Sequence, residues 1–166
     1  MDPLRTQRLL LVPLTLDEAS AIAAGIREGR AWAPDYPSEG DVVVSGLVVT
    51  AGSSYDATGE VGLLQIRRLD SGAAIGGVGF LGGVRDGEAE IGYGLAESAR
   101  GQGFAREAVA AVVAHAFLHG VDRVTALTEP SNEPSQRLLR SLDFVADGQE
   151  TTHDGVMTRW VLPRES

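Results

Sequence analysis

Apolar and polar positions change period several times along the chain, and each change marks an element. Residues 8–13 are a short apolar run (Leu9, Leu10, Leu11, Val12) that reads as a strand. Thr15-Leu16-Asp17-Glu18 then has the T-x-x-E form of a capping box, with Leu16, Ala19, Ile22, Ala23 and Ile26 on one helical face. Gly29 and Arg30 are expected to end that helix. Residues 41–51 can be read two ways, because their valines favour a strand while their length and position allow a short helix. Residues 60–69 and 73–81 read as neighbouring strands around the turn Asp70-Ser71-Gly72. Gly82-Gly83 and Asp86-Gly87 bound the next hairpin, which leads into a strand over residues 88–95. Between Gly103 and His119, Phe104, Ala108, Val109, Val112, Val113, Ala116 and Phe117 recur at helical spacing, and Gly120 stops the helix. A strand over residues 123–129 follows. Ser131 or Asn132 then caps a helix that carries Pro134 in its first turn and buries Leu138, Leu139 and Leu142. Residues 143–146 and 156–162 read as two closing strands joined through Asp147-Gly148 and a polar loop. Hairpins fall in the middle of this order, so the pattern predicts a mixed α/β fold whose sheet is not wholly parallel.

The chain has 166 residues, which suits one domain over 1–166. Hydrophobic residues make up 43% and charged residues 22%, as in ordinary soluble proteins. No apolar run approaches membrane-spanning length, and no charged segment followed by an apolar core opens the chain, so a cytoplasmic protein is expected. The absence of cysteine excludes thiolate catalysis and cysteine-ligated metal. A net charge of −9 argues against broad nucleic-acid binding and favours cations such as amines as partners. All 14 basic residues are arginines, so a phosphate contact must come from arginine or the backbone.

The chemistry concentrates where Glu90-Ile91-Gly92-Tyr93-Gly94-Leu95 is followed by Arg100-Gly101-Gln102-Gly103-Phe104-Ala105. A strand enters a glycine-rich turn, and the turn opens a helix. That order gathers free backbone N–H groups, the positive end of a helix dipole and an arginine, which suits a pyrophosphate. A P-loop is excluded, since there is no lysine, and Arg106 occupies the third small position of a G-x-G-x-x-G fingerprint. Pleating sends Glu90, Gly92 and Gly94 to one face, one carboxylate beside two positions without side chains. Glu90 is therefore a candidate general base, and a solvated or arginine-paired carboxylate is the plainer alternative.

Arg100-x-x-Gly103-x-Ala105 resembles the [QR]-x-x-G-x-[GA] acyl-CoA-binding motif of the GNAT N-acetyltransferases. Thr6-x-Arg8-Leu9-x-Leu11, Glu90-Ile91-Gly92-Tyr93 and Asn132-x-x-Ser135…Leu138-Leu139…Phe144 resemble the same family in the right order, nearest to the ribosomal-protein alanine N-acetyltransferases. The resemblance implies a twisted mixed sheet flanked by helices, with acetyl-CoA as cosubstrate in a splay near Leu95. It implies that Leu95 and Glu97 pair with the pantetheine arm and that a backbone N–H near Leu95 polarises the thioester carbonyl. Gly101, Gln102, Gly103, Phe104 and Ala105 would hold the pyrophosphate, with Arg100 and Arg106 adding charge, and Asn132 and Ser135 would lie along the cofactor. The implied reaction is direct attack by a primary amine, a protein N-terminus or a small cationic amine, with Ser135 a proton donor to the thiolate. A homodimer is common among such proteins, and a non-catalytic acyl-CoA sensor is the alternative function. Many relatives place a tyrosine after the cofactor motif as acid, whereas Tyr36, Tyr55 and Tyr93 all precede Arg100. Trp32 and Tyr36 are candidate substrate contacts, or simply pin their loop. Asp35, Glu39 and Asp41 could attract an ammonium group or form a solvated acidic edge. His115 and His119, at i, i+4, have zinc-like spacing without an H-E-x-x-H pattern, and His153 lies in a polar loop; no metal site is expected.

Overall fold

A computed structural model describes residues 1–55, 59 and 61–165. The elements in chain order are β1 (Leu4–Arg5), β2 (Leu9–Pro13), α1 (Leu16–Ala24), α2 (Glu39–Ala51), β3 (Leu63–Arg68), β4 (Ala74–Arg85), β5 (Glu88–Leu95), α3 (Phe104–Leu118), β6 (Arg123–Thr128), α4 (Glu133–Ser141), β7 (Val145–Thr152) and β8 (Gly155–Pro163). The strands form one eight-stranded sheet in the order β1-β2-β3-β4-β5-β6-β8-β7, flanked by helices. Only the β5–β6 pair among these neighbours is parallel, the chain crossing between them through α3. The mixed α/β architecture expected from the sequence is the one observed. Leu9, Leu11, Ile66, Val109, Val112, Val124, Leu139 and Trp160 are among the largest fully buried side chains of the core.

The feature that positions the site is where β5 and β6 part. They pair only at Glu88–Arg123, Ala89–Val124 and Glu90–Thr125. Beyond Thr125, β6 stays with β8, through Ala126–Trp160, Leu127–Arg159 and Thr128–Thr158. Trp160 Nε1 donates to Thr128 Oγ1 at 2.9 Å in the core and holds that end of β6. Among the described residues, the edge of β5 that faces β6 is therefore left without a partner strand after Glu90. The Ala96 N–H bonds to the Ile75 carbonyl at 2.8 Å, and the alternation of an antiparallel ladder turns the Leu95 N–H to the opposite edge, into the splay.

Several boundaries differ from the sequence expectation. Residues 41–51 are helical: Ser38 caps α2, and Ser38 and Asp41 form a complete capping box that outweighs the β preference of the valines. Helix α1 ends at Ala24, because Gly25 takes a left-handed conformation (φ 69°) and its N–H bonds back to Ala21 and Ile22. Gly82-Gly83 is an irregularity inside β4, and the hairpin turns at Asp86-Gly87. Asp147-Gly148 likewise sits inside β7, so the closing strands are longer than expected. Asn132, not Ser131, caps α4. The first residue of the strand expected over 60–69, Glu60, lies outside the described residues. Among those described, no helix is long and apolar enough to cross a membrane.

Candidate active site

Between β5 and α3 the chain makes a short 3-10 turn, Glu97–Ala99, then passes through Gly101 (φ 75°) and Gly103 (φ 81°). Gly103 is the N-cap of α3, and no side chain caps the helix. An N-cap is ordinarily Ser, Thr, Asp or Asn, whose oxygen takes up a first-turn N–H. Here those N–H groups have no side-chain cap, and the helix dipole favours an anion. A Cβ on Gly103 would be strained by its φ and would meet the Arg8 guanidinium at 3.3 Å.

Glu107, in the first turn, would oppose an anion if it were unpaired. It accepts instead from Thr6 Oγ1 (2.6 Å), the Arg8 N–H (2.8 Å) and Arg8 Nε (2.7 Å). Burial pushes its carboxyl up, but these donors outweigh burial and leave it below the usual range. Arg8 also donates to the Gln102 carbonyl at 2.9 Å and lies 4.5 Å above the Phe104 ring. The opening Thr6-x-Arg8 is thus a clamp that holds the start of α3.

A cavity of about 540 Å³ opens beside this turn, within the splay. Of the residues expected to hold the cofactor, Leu95, Arg100, Gly101, Gly103, Phe104, Ala105, Arg106, Asn132 and Ser135 line it; Glu97 and Gln102 do not. The Gln102 side chain donates to the Ser98 carbonyl at 3.2 Å. Arg137, one helical turn before Ser141, adds a third guanidinium to Arg100 and Arg106. Arg100 donates to the Leu95 carbonyl (3.1 Å), and Arg106 to Ser141 (3.0 Å), which fixes both near the turn. Uncapped N–H groups, three arginines and a neutralised Glu107 fit a pyrophosphate-bearing cofactor.

On the far wall of the cavity, Asn132 Oδ1 accepts the Ser135 N–H at 3.2 Å and starts α4. The Tyr93 hydroxyl lies 2.6 Å from Ser135 Oγ. Burial raises the Tyr93 phenol above its ordinary range, so it stays protonated. A tyrosine that precedes Arg100 in sequence therefore reaches α4 in space.

A second, smaller cavity of about 120 Å³ lies between α1, α2 and strands β3–β5. Tyr93 and Gly94 line both cavities, so the two meet there. Its walls include Ile22, Val44, Leu63, Leu64 and Val78, and its floor Gly76, Gly77, Gly92 and Gly94. Asp41 is the one charged side chain among the described lining residues. Burial raises its carboxyl above the usual range against the pull of its bonds to Ser38. Tyr36 lines this cavity and is buried; its hydroxyl accepts from Gln65 Nε2 at 3.1 Å, and burial pushes its phenol up.

Two further expected site residues stand elsewhere. Glu90 lines neither cavity; it is half-buried, and burial first, then Glu150, raises its carboxyl against the pull of Arg159. Trp32 is buried outside both cavities, edge-on to Tyr36 at 5.4 Å, with its Nε1 donating to Glu18 at 2.8 Å. It pins the loop before α2. Asp35 accepts from the Ser98 N–H and hydroxyl (2.8 and 2.5 Å). The His115 and His119 rings stack at 4.0 Å, with His119 Nδ1 2.8 Å from the His115 carbonyl. Sequence reasoning missed Arg137 and set Asp41 beside Asp35 and Glu39 without separating it from them. The S-x-x-D spacing of Ser38 and Asp41 is the signal that places Asp41.

A sequence model of the acetyltransferase (GNAT) domain matches residues 8–145. An uncharacterized N-acetyltransferase of Bacillus licheniformis, p20, is 29% identical over 157 residues, covering 89% of this chain and 85% of that protein. The ribosomal-protein-S5-alanine acetyltransferase from Vibrio fischeri superposes with a TM-score of 0.70 at 17% identity, covering 97% of this chain and 96% of that one. RimJ of Mycobacterium smegmatis, in complex with CoA-disulfide, superposes with a TM-score of 0.67 at 23% identity, covering 97% and 85%. The chain belongs to the GNAT acetyltransferase family and is an N-acetyltransferase that uses acetyl-CoA as its cosubstrate.

Proposed function

We propose that the chain acetylates a primary amine, a protein or peptide N-terminus or a small cationic amine, by direct attack on the thioester. One observation carries this reading: a basic cavity in the splay and an apolar cavity with a single carboxylate meet at Tyr93 and Gly94. Acetyl-CoA supplies an activated carbonyl and a thiol leaving group. The N–H groups from Gly101 to Ala105, with Arg100, Arg106 and Arg137, hold its phosphates. The edge of β5 that faces the splay offers the pantetheine arm backbone groups, among them the Leu95 N–H as the donor to the thioester oxygen, while Arg100 holds the Leu95 carbonyl. Ser135, oriented by the Tyr93 hydroxyl 2.6 Å away, holds a proton toward the departing sulfur. No covalent enzyme intermediate is needed, since alignment of two bound reactants supplies much of the rate. A net charge of −9 supports a cationic acceptor. The cytoplasm and a homodimeric state are the setting this reading adopts.

The test is release of free thiol from acetyl-CoA with and without added primary amines. Amine-dependent release, with a matching N-acetyl product by mass, is expected. Turnover of alcohols or thiols in place of amines would contradict the reading.

A further inference from the structure

Asp41 at first sight serves only its own helix. Its Oδ2 accepts from the Ser38 N–H (2.9 Å) and Ser38 hydroxyl (2.6 Å), which completes the capping box of α2. Its other oxygen, Oδ1, takes no part in that box and stands 2.9 Å from where a Cβ on Gly77 would lie. Gly77 is directly opposite Gly94 in the β4–β5 ladder, and Gly94 belongs to both cavities. Directly opposed residues lie about 5 Å apart. The free carboxylate oxygen is thus one strand away from the point where the two cavities meet, over a floor that carries no side chain.

Resting on the acetyl-transfer reading above, we propose that Asp41 receives the acceptor's ammonium group and takes its proton, and that the reacting amine is borne on a compact apolar stem. The cavity is of about 120 Å³, close to the size of an apolar cavity that takes up one benzene, about 150 Å³. Of the polar lining, Tyr36 and Gln65 bond to each other and Ser38 bonds to Asp41, while Val44, Leu63, Leu64 and Val78 offer no partner, so most of the extra polar groups of a hydroxylated or multiply charged acceptor would be buried unpaired. An aminosugar or a polyamine therefore fits this cavity worse than a branched alkylamine or an N-terminus with a small apolar side chain. The ammonium nitrogen begins with three protons. One passes to Asp41 and on to solvent, and the freed lone pair forms the C–N bond. As the C–S bond breaks, the sulfur keeps its electron pair and receives the second proton by way of Ser135; the third remains on the amide. The titratable groups that line this cavity with Asp41 are Tyr36 from the preceding loop and Tyr93 on β5, while Glu18 on α1 and Arg67 on β3 act on Tyr36. Glu18 is held by Arg30, Trp32 and Gln65, and the Tyr36 phenol stays neutral. Asp41 is left as the carboxylate whose ionisation sets the acid limb of the rate.

The experiment uses isobutylamine, spermidine and glucosamine as probes on the whole protein, with acetyl-CoA affinity measured first by calorimetry. Acetyl-CoA is expected to bind wild type and Asp41→Asn alike; failure to bind wild type would remove the acetyl-transfer reading itself. With binding intact, isobutylamine should be turned over with kcat/KM at least tenfold above the other two. Asp41→Asn should lower kcat by about 100-fold, in the range of a lost general base, and abolish the acid limb. Ser38→Ala, which breaks the cap but keeps the carboxylate, should lower Tm and keep the limb. Three results would overturn the proposal with the cofactor still bound. They are an unchanged rate and pH profile in Asp41→Asn, a preference for spermidine, or isobutylamine neither turned over nor bound.

Discussion

Gly94 has the least to do with stability and the most with chemistry. A Cβ built on it meets nothing within 4 Å, and its backbone is not in the left-handed region, so alanine is accommodated by the fold. Gly94→Ala should leave the unfolding free energy unchanged or raise it by up to about 1 kcal/mol through the reduced freedom of the unfolded chain, with Tm unchanged or higher. The same methyl occupies the junction of the two cavities, so amine-dependent thiol release should fall at least tenfold; an undiminished rate would mean that the reaction happens elsewhere. Legibility at this scale was uneven. The glycines of β5 and the turn at Arg100–Ala105 announce their purpose, because missing side chains in a strand and before a helix have few other uses. The Tyr93–Ser135 contact does not, since 42 positions separate the partners and only the splay brings them together. Glu90 lines neither cavity and Asp41 lines the smaller one, placements the sequence does not show for a related reason. Pleating gives the face of Glu90 but not how far along that face the cavity extends. Asp41 looked like one of three edge acids until its helix placed it against β4. The loss in Asp41→Asn should accordingly exceed that in Glu90→Gln.

Helix α3 does for the cofactor what an ordinary helix start cannot, because its N–H groups are uncapped and its first-turn acid is occupied. Arg8 is the element that arranges this, through Glu107, the Gln102 carbonyl and the Phe104 ring. Arg8→Ala should destabilise the protein by about 1–3 kcal/mol, the range for losing a hydrogen bond to a charged group, and weaken acetyl-CoA binding. The carboxyl of Glu107 is depressed in the folded state, so its contribution is present above its unfolded value and is lost as pH falls through the folded one. Urea titrations at pH 7 and pH 3 should show the gap between wild type and Arg8→Ala narrowing in acid; a constant gap would mean that Arg8 acts without Glu107. Element types were largely readable from periodicity, including α3 and the β3–β4–β5 meander. The exceptions share a cause. Gly82-Gly83 and Asp147-Gly148 look like turns, yet each is a register shift inside a longer strand, and local composition does not distinguish the two. Helix α2 is rich in β-branched residues, and only its capping box decides for helix.

At the scale of the molecule, the mixed sense of the sheet and the neighbouring strands of the β3–β4–β5 meander follow from alternating patterns and short connections and were legible, whereas the full strand order was not. The splay was not. It depends on pairing between β5 and β6 ending after three residue pairs while β6 stays attached to β8. No local pattern encodes that, and here it entered only through the family likeness. The splay and the uncapped start of α3 together make one claim, that the cofactor's pyrophosphate sits against Gly103. The most direct test is a calorimetric titration of acetyl-CoA into wild type and Gly103→Asp, with ATP and NAD as controls. Wild type is predicted to bind acetyl-CoA in the micromolar range, about −8 kcal/mol, and the variant not at all, its side chain and charge standing where the phosphates must approach. Equal binding by both proteins, or no binding by wild type, would contradict the account.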